Sequence, residues 1–166
     1  MIKTNRLILK SIEDIDQEAM IDLFTNDQIK QTYMLPDFES KENAVKLFQR
    51  MQAITKKEDT VDCGIYLQDT LIGFLNTVLI EDKKIELGYV IDPEFQNKGF
   101  ATETLRATIQ KAFGLGYEKV ITGAFEDNAA SRRVMEKCGM SLIEENEDIE
   151  YRGNVHHCVY YAIENR

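Results

Sequence analysis

The residues best suited to chemistry form one contiguous run, Glu86-Leu87-Gly88-Tyr89-Val90-Ile91-Asp92-Pro93-Glu94-Phe95-Gln96-Asn97-Lys98-Gly99-Phe100-Ala101-Thr102-Glu103. It reads as a strand, a loop, and a helix that opens on Gly99 and the small Ala101. The first N–H groups of a helix lack internal partners and sit at the positive end of its dipole, so a phosphate or pyrophosphate can be held there by backbone alone. Gly99 lets the chain approach such a ligand closely. Each charge-assisted hydrogen bond of this kind is worth about 1.5–3 kcal/mol, so a few anchor a nucleotide without a basic patch. Taken alone, Gly99 is equally a flexible helix start and Gln96 a solvated loop residue. Two rival nucleotide motifs are absent. There is no G-x-x-x-x-G-K-S/T, and Gly114-Leu115-Gly116 puts Lys119 where a dinucleotide fingerprint needs its third glycine, at the end of a helix and not its start.

The elements that must position this run follow from periodicity. Arg6 to Lys10 reads as a first strand. Ser11 opens a capping-box-like helix start whose apolar face is Ala19, Met20, Leu23 and Phe24. Pro36 breaks the pattern, and a second helix follows from about Ser40, with Ala44, Val45, Phe48, Met51 and Ile54 on one face. The period then changes. Val61 to Leu67 and Leu71 to Ile80 form a hairpin across Gln68-Asp69-Thr70, and Ile85, Leu87, Tyr89 and Ile91 alternate through a third strand that Asp92-Pro93 ends. Ala101, Leu105, Ile109 and Ala112 mark an amphipathic helix from Gly99. Beyond it come a strand at Val120 to Phe125, a short helix at Asn128 to Cys138, and strands at Met140 to Glu144 and Val155 to Ile163. The βαβ unit from Ile85 to Phe125 implies one parallel pair in an otherwise antiparallel sheet with helices on both faces.

Composition bounds the function. The chain has 166 residues, 43% hydrophobic and 30% charged, with 2 Pro and 9 Gly, which fits one globular α/β core and excludes a disordered or disulfide-stapled chain. Lys plus Arg is 20 against 29 Asp plus Glu, a net charge of −9, so the chain is poorly suited to nucleic acid and better matched to a cationic substrate. Cys63, Cys138 and Cys158 are widely spaced, without metal-ligand spacing, and read as free thiols in a reducing cytoplasm. No apolar run approaches the length of a membrane span or a signal segment, so the expected setting is cytoplasmic, with no membrane partner.

Gln96-Asn97-Lys98-Gly99-Phe100-Ala101 resembles the Q/R-x-x-G-x-G/A pyrophosphate loop of the GNAT N-acetyltransferases. Thr4-Asn5-Arg6-Leu7-Ile8-Leu9 resembles the opening strand of the branch that contains ribosomal-protein N-terminal (alanine/serine) acetyltransferases, and Asn128 to Met140 resembles that branch's N-x-x-S-x-x-v-x-E-K-x-G-F helix. The likeness spans essentially the whole chain. It implies a single GNAT domain over residues 1–166, an α/β (α+β) fold whose mixed, mostly antiparallel sheet carries one parallel splay. It also implies acetyl-CoA as co-substrate and no metal. Tyr89, Val90 and Ile91 would pair with the pantetheine arm, and amides of Gln96, Asn97, Lys98, Gly99, Phe100, Ala101 and Thr102 would hold the pyrophosphate. Asn128 and Ser131 would lie near the cofactor, and Arg132 or Arg133 would meet the adenosine 3′-phosphate. Each has a plainer reading: Lys98 as an exposed loop lysine, Asn128 as an N-cap, either arginine as a solvated helix face.

The implied reaction is acetyl transfer to a primary amine, with a protein N-terminal α-amine as leading acceptor and a polyamine or aminoglycoside as alternative. A non-catalytic acyl-CoA-binding or sensing module is the other class, and a homodimer is compatible with the likeness. Glu86 is the expected base, matching a carboxylate that relatives use; an outward-facing strand glutamate is the alternative. Glu103 also matches the family pattern, but a helix-dipole role suffices for it. Many relatives carry a tyrosine general acid where this chain has Met135. Tyr160 or Tyr161 could substitute, and His156 and His157 occupy a position where relatives often have His-Asp. Adjacent strand residues face opposite ways, so at most one histidine of the pair should see the cleft. The acceptor pocket is expected to involve the two N-terminal helices and the loop from Tyr33 to Phe38.

Overall fold

A computed structural model describes residues Met1–Arg166. The strands are β1 (Ile2–Lys3), β2 (Leu7–Lys10), β3 (Cys63–Leu67), β4 (Thr70–Glu81), β5 (Lys84–Ile91), β6 (Lys119–Phe125), β7 (Ser141–Tyr151) and β8 (Asn154–Glu164). The helices are α1 (Gln17–Phe24), α2 (Asp27–Lys30), α3 (Lys41–Thr55), α4 (Phe100–Gly114) and α5 (Ala129–Lys137). All strands join one sheet in the order β1-β2-β3-β4-β5-β6-β8-β7, antiparallel throughout except for β5 and β6.

Strand alternation sends successive side chains to opposite faces, and each face is covered by different helices. Leu87 and Ile91 of β5 join the core with Leu105, Ile109 and Ala112 of α4 and Met135 of α5. Val90 and Phe74 join a second core with Met20 and Phe24 of α1, Ile29 of α2 and Phe48 of α3. Helices on both faces of a mixed sheet are therefore observed as expected.

Several local expectations are corrected. Ser11 does not cap a helix; its hydroxyl donates to the Thr55 carbonyl, and the capping box is made by Glu13 and Asp16 ahead of a 3-10 turn, so α1 begins only at Gln17. The two-residue β1 and the four-residue α2, capped by Asn26, carry too few residues for a periodic signal. The strand expected at Met140 to Glu144 runs on to Tyr151, paired with β8 at Ser141–Leu142 and again from Asn146 to Tyr151 across a register shift. Its exposed residues give no apolar alternation to read.

The feature that positions the site is a parting of strands. The parallel ladder of β5 and β6 runs from Lys84↔Lys119 to Leu87↔Thr122 and stops. Beyond it β5 stays paired with β4 through Ile91↔Gly73, and β6 with β8 through Phe125↔Cys158. The facing edges of Gly88–Ile91 and Gly123–Phe125 are thus left open as a wedge in the sheet.

Candidate active site

The wedge opens into a cavity of about 570 Å³. Its walls include Tyr89, Val90, Ile91, Gln96, Asn97, Gly99, Phe100, Ala101, Thr102, Asn128, Ser131 and Arg133, so nearly all of the expected donor-side residues converge. Gly99 is the N-cap of α4 with φ +84°, a left-handed conformation that glycine adopts without steric cost. Around it the backbone N–H groups of Asn97 through Thr102 find no protein acceptor; the first helical N–H with a partner is that of Glu103, to the Gly99 carbonyl. A row of unpartnered donors at a helix N-terminus fits a diphosphate, which supplies acceptors only.

The row is held in place from the distant N-terminus. Glu103 receives hydrogen bonds from the Thr4 hydroxyl (2.6 Å), the Arg6 amide (2.7 Å) and Arg6 Nε (2.8 Å). These bonds hold its carboxyl below the usual range against the opposing effect of burial. The Arg6 guanidinium also donates to the Lys98 carbonyl (2.8 Å) and lies 4.4 Å over the Phe100 ring. Sequence reasoning gave Glu103 a dipole role and Arg6 none beyond its strand. Nothing local connects positions 97 residues apart.

A family model for the acetyltransferase (GNAT) domain matches residues 6–141. The chain belongs to this family of acetyl-CoA-dependent N-acetyltransferases. An uncharacterized N-acetyltransferase of Bacillus subtilis, YoaA, is 35% identical over 144 residues, covering 84% of this chain and 81% of that protein. Two solved structures share the fold at low identity. One is a Salmonella typhimurium acetyltransferase described as modifying the N-terminal serine of ribosomal protein L7/L12 (21% identity, TM-score 0.81, 98% and 97% coverage). The other is the Vibrio cholerae spermidine N-acetyltransferase in complex with CoA and spermine (22%, 0.80, 96% and 95%).

Within this GNAT scaffold the remaining expected residues fall out by face. Asn128 accepts a hydrogen bond from the Ser131 amide, and Ser131 Oγ lies 2.8 Å from the Tyr89 hydroxyl, which joins α5 to β5 beside the wedge. Arg132 is occupied by the Tyr161 hydroxyl and the Glu126 carbonyl, while Arg133 lines the cavity. The Lys98 side chain is that of an exposed loop lysine: it is outside the cavity wall, over Phe95 and donating to the Glu94 carbonyl, and only its backbone N–H belongs to the row. Met135 and Met140 are core residues.

On the opposite face, the one toward α1–α3, lie Glu86, Gly88 and Val90 of β5 and, by cross-strand register, Gly123 with Tyr160 and Cys158 with Glu147. Glu86 does not line the cavity itself but stands two residues before Gly88, half-buried. Burial, with the negative charge of Glu147, raises its pKa above the ordinary carboxylate range. Tyr160 faces this side and is held neutral by burial and the same two carboxylates. Tyr161 is buried on the other face with its hydroxyl on Arg132 and Glu136. The histidines divide as the strand requires. His156 stacks on Phe125 (4.2 Å between ring centroids) on the Tyr160 side, and His157 pairs with Asp148 (2.7 Å) away from it. The loop after α2 closes this face, with Gln31, Thr32 and Tyr33 in the cavity wall.

Proposed function

We propose that this chain acetylates a primary amine, with a protein N-terminal α-amine as leading acceptor. The observation that carries the reading is the open edge of β5 running directly into a row of free helix-terminal N–H groups. An extended amide-bearing arm can pair along the one while a diphosphate sits on the other. The thioester carbonyl then falls near Gly88 at the wedge apex, between the donor wall and the face bearing Glu86.

In this reading the amine attacks the thioester carbon, the C–N bond forms, and the C–S bond breaks with its electron pair leaving on sulfur. Glu86 takes the proton from nitrogen, directly or through water. Its raised pKa makes it a stronger base than an exposed carboxylate. An α-amino group near pKa 7.7–8.0 needs only about 1 kcal/mol to reach its neutral form at pH 7, against roughly 4.6 kcal/mol for a lysine-like amine. One carboxylate is therefore adequate for an α-amine. A thiolate of pKa near 8.5 leaves at a cost of only about 2 kcal/mol, so the absence of a tyrosine at Met135 is tolerable. The pairing of Glu86 with Glu147 on the amine side favours a second reading, a small cationic polyamine. The three buried free thiols accord with a reducing cytoplasmic setting.

The test is thiol release from acetyl-CoA with a panel of peptides bearing free N-termini, polyamines and aminoglycosides, with products identified by mass. Release with N-terminal peptides supports the leading reading, and release with spermidine alone supports the second. CoA binding without release for any amine leaves a sensing module and sinks both.

A further inference from the structure

Resting on the acetyl-transfer reading, we propose that Tyr33 contacts the acceptor amine directly. Its hydroxyl forms the polar stop that aligns the amine over the wedge apex, and Gly88 is glycine to make room for it.

Three observations converge on this tyrosine. Its hydroxyl lies against β5 at the first residue of the open edge: a Cβ built on Gly88 would sit 2.8 Å from Tyr33 Oη and 3.1 Å from its Cε2. Tyr33 and Gly88 both line the cavity that the donor-side residues line, so the contact is at the reaction site and not behind it. The hydroxyl proton is already committed. Asn76 Oδ1 receives it, and Asn76 is oriented by its own Nδ2 donating to the Thr77 carbonyl. An amide oxygen can only accept, so Tyr33 must donate to it, and the oxygen of Tyr33 keeps its lone pairs with no protein donor to fill them.

Burial together with the charges of Asp62 and Glu86 pushes the Tyr33 pKa far above its ordinary value, so the group stays a neutral phenol and cannot serve as the base. A neutral phenol oxygen with a fixed proton and free lone pairs is an acceptor for N–H. The acceptor nitrogen needs its own lone pair aimed at the thioester carbon while one N–H proton leaves toward Glu86. A second N–H resting on Tyr33 Oη fixes that orientation, and the hydrogen it holds is not transferred.

The ring is placed by packing and by the chain on either side. It meets Phe74 edge-on at 6.0 Å, and the following residue pair is clasped by the β7–β8 hairpin. Tyr151 Oη accepts from the Leu35 amide (3.1 Å) and donates to the Leu35 carbonyl (2.8 Å), while Arg152 reaches Asp37, which Lys30 holds at 2.9 Å.

The experiment is steady-state kinetics of Tyr33→Phe, which keeps the ring and its packing on Phe74, with acetyl-CoA and a peptide bearing a free N-terminal serine. The same assay is run with spermidine. The expected result is a fall of about tenfold in kcat/KM for the amine, the worth of one hydrogen bond to a polar acceptor, with KM for acetyl-CoA unchanged and the melting temperature slightly lowered because Asn76 Oδ1 loses its donor. Gly88→Ala should produce a similar amine-side loss by displacing the hydroxyl, and the double variant should lose less than the product of the two single losses. A kcat/KM for the amine within twofold of the unsubstituted protein overturns the assignment of Tyr33 while leaving acetyl transfer intact. Absence of thiol release from the unsubstituted protein with either amine overturns the assignment together with the reading it rests on.

Discussion

The two sides of the wedge are built by different means. On the proposed donor side the free groups are backbone amides from one stretch of chain, Asn97 to Thr102, and the side chains of Arg6 and Glu103 hold that stretch in place. On the proposed amine side the candidate groups are side chains brought together from far apart: Tyr33 from the loop after α2 and Glu86 from β5, with Glu147 of β7 and Tyr160 of β8 on the same face. A backbone site needs only a strand, a turn and a glycine, so it tolerates wide change in the rest of the chain. A side-chain site changes with every substitution, which suits the half that must select among amines.

The sharpest way to break the donor half is Gly99→Val. The residue sits at φ +84°, where a β-branched side chain is strained, and an added Cβ would also crowd Arg6 at 3.1 Å. Loss of two or more charge-assisted bonds corresponds to about a thousandfold weaker CoA binding, read by calorimetry with the melting temperature followed in parallel. On the amine side, Glu86→Gln should lower kcat by about a hundredfold and leave CoA affinity alone. It should also remove the acidic limb of the pH–rate profile, which for the unsubstituted protein lies above the usual carboxylate range because burial and Glu147 raise the pKa. The sign for stability is opposite. A carboxyl whose folded pKa is raised costs nothing below its unfolded pKa and destabilises the fold as pH rises through the folded one, so Glu86→Gln should melt slightly higher at pH 7 and equally at pH 4 or below.

A smaller effect is expected from Tyr151→Phe. Removing the hydroxyl that clasps Leu35 loosens the Tyr33 loop, raising KM for the amine by about fivefold with no change for acetyl-CoA. Smallest of all, Lys98→Ala should alter CoA affinity by less than about threefold, because its ammonium lies over Phe95 outside the cavity and only its amide takes part.

The same contrast explains what could be read from the sequence. Gly99, Gln96 and the α4 stripe are neighbours in sequence, and a helix N-terminus has a local signature. The helix start with its free amides was legible for that reason, and so were the alternating strands β3 to β5 that lead to it. Arg6 on Glu103 and Tyr151 on Leu35 were not legible, because each joins residues about a hundred positions apart through an exposed or half-exposed polar side chain that has no periodic pattern. The extension of β7 to Tyr151 was missed for a related reason: a strand with exposed acids on both faces carries no apolar alternation. Tyr33 was legible only as part of a loop, since its role depends on Gly88 and Asn76 arriving beneath it.

The division between the halves is tested most directly by titrating CoA calorimetrically into the Glu86→Gln/Tyr151→Phe double variant. A dissociation constant within about twofold of the unsubstituted protein is expected, since neither side chain contributes to the backbone row that holds the donor. A loss of about tenfold or more would contradict a donor site made of backbone alone and tie the two faces of the wedge into one.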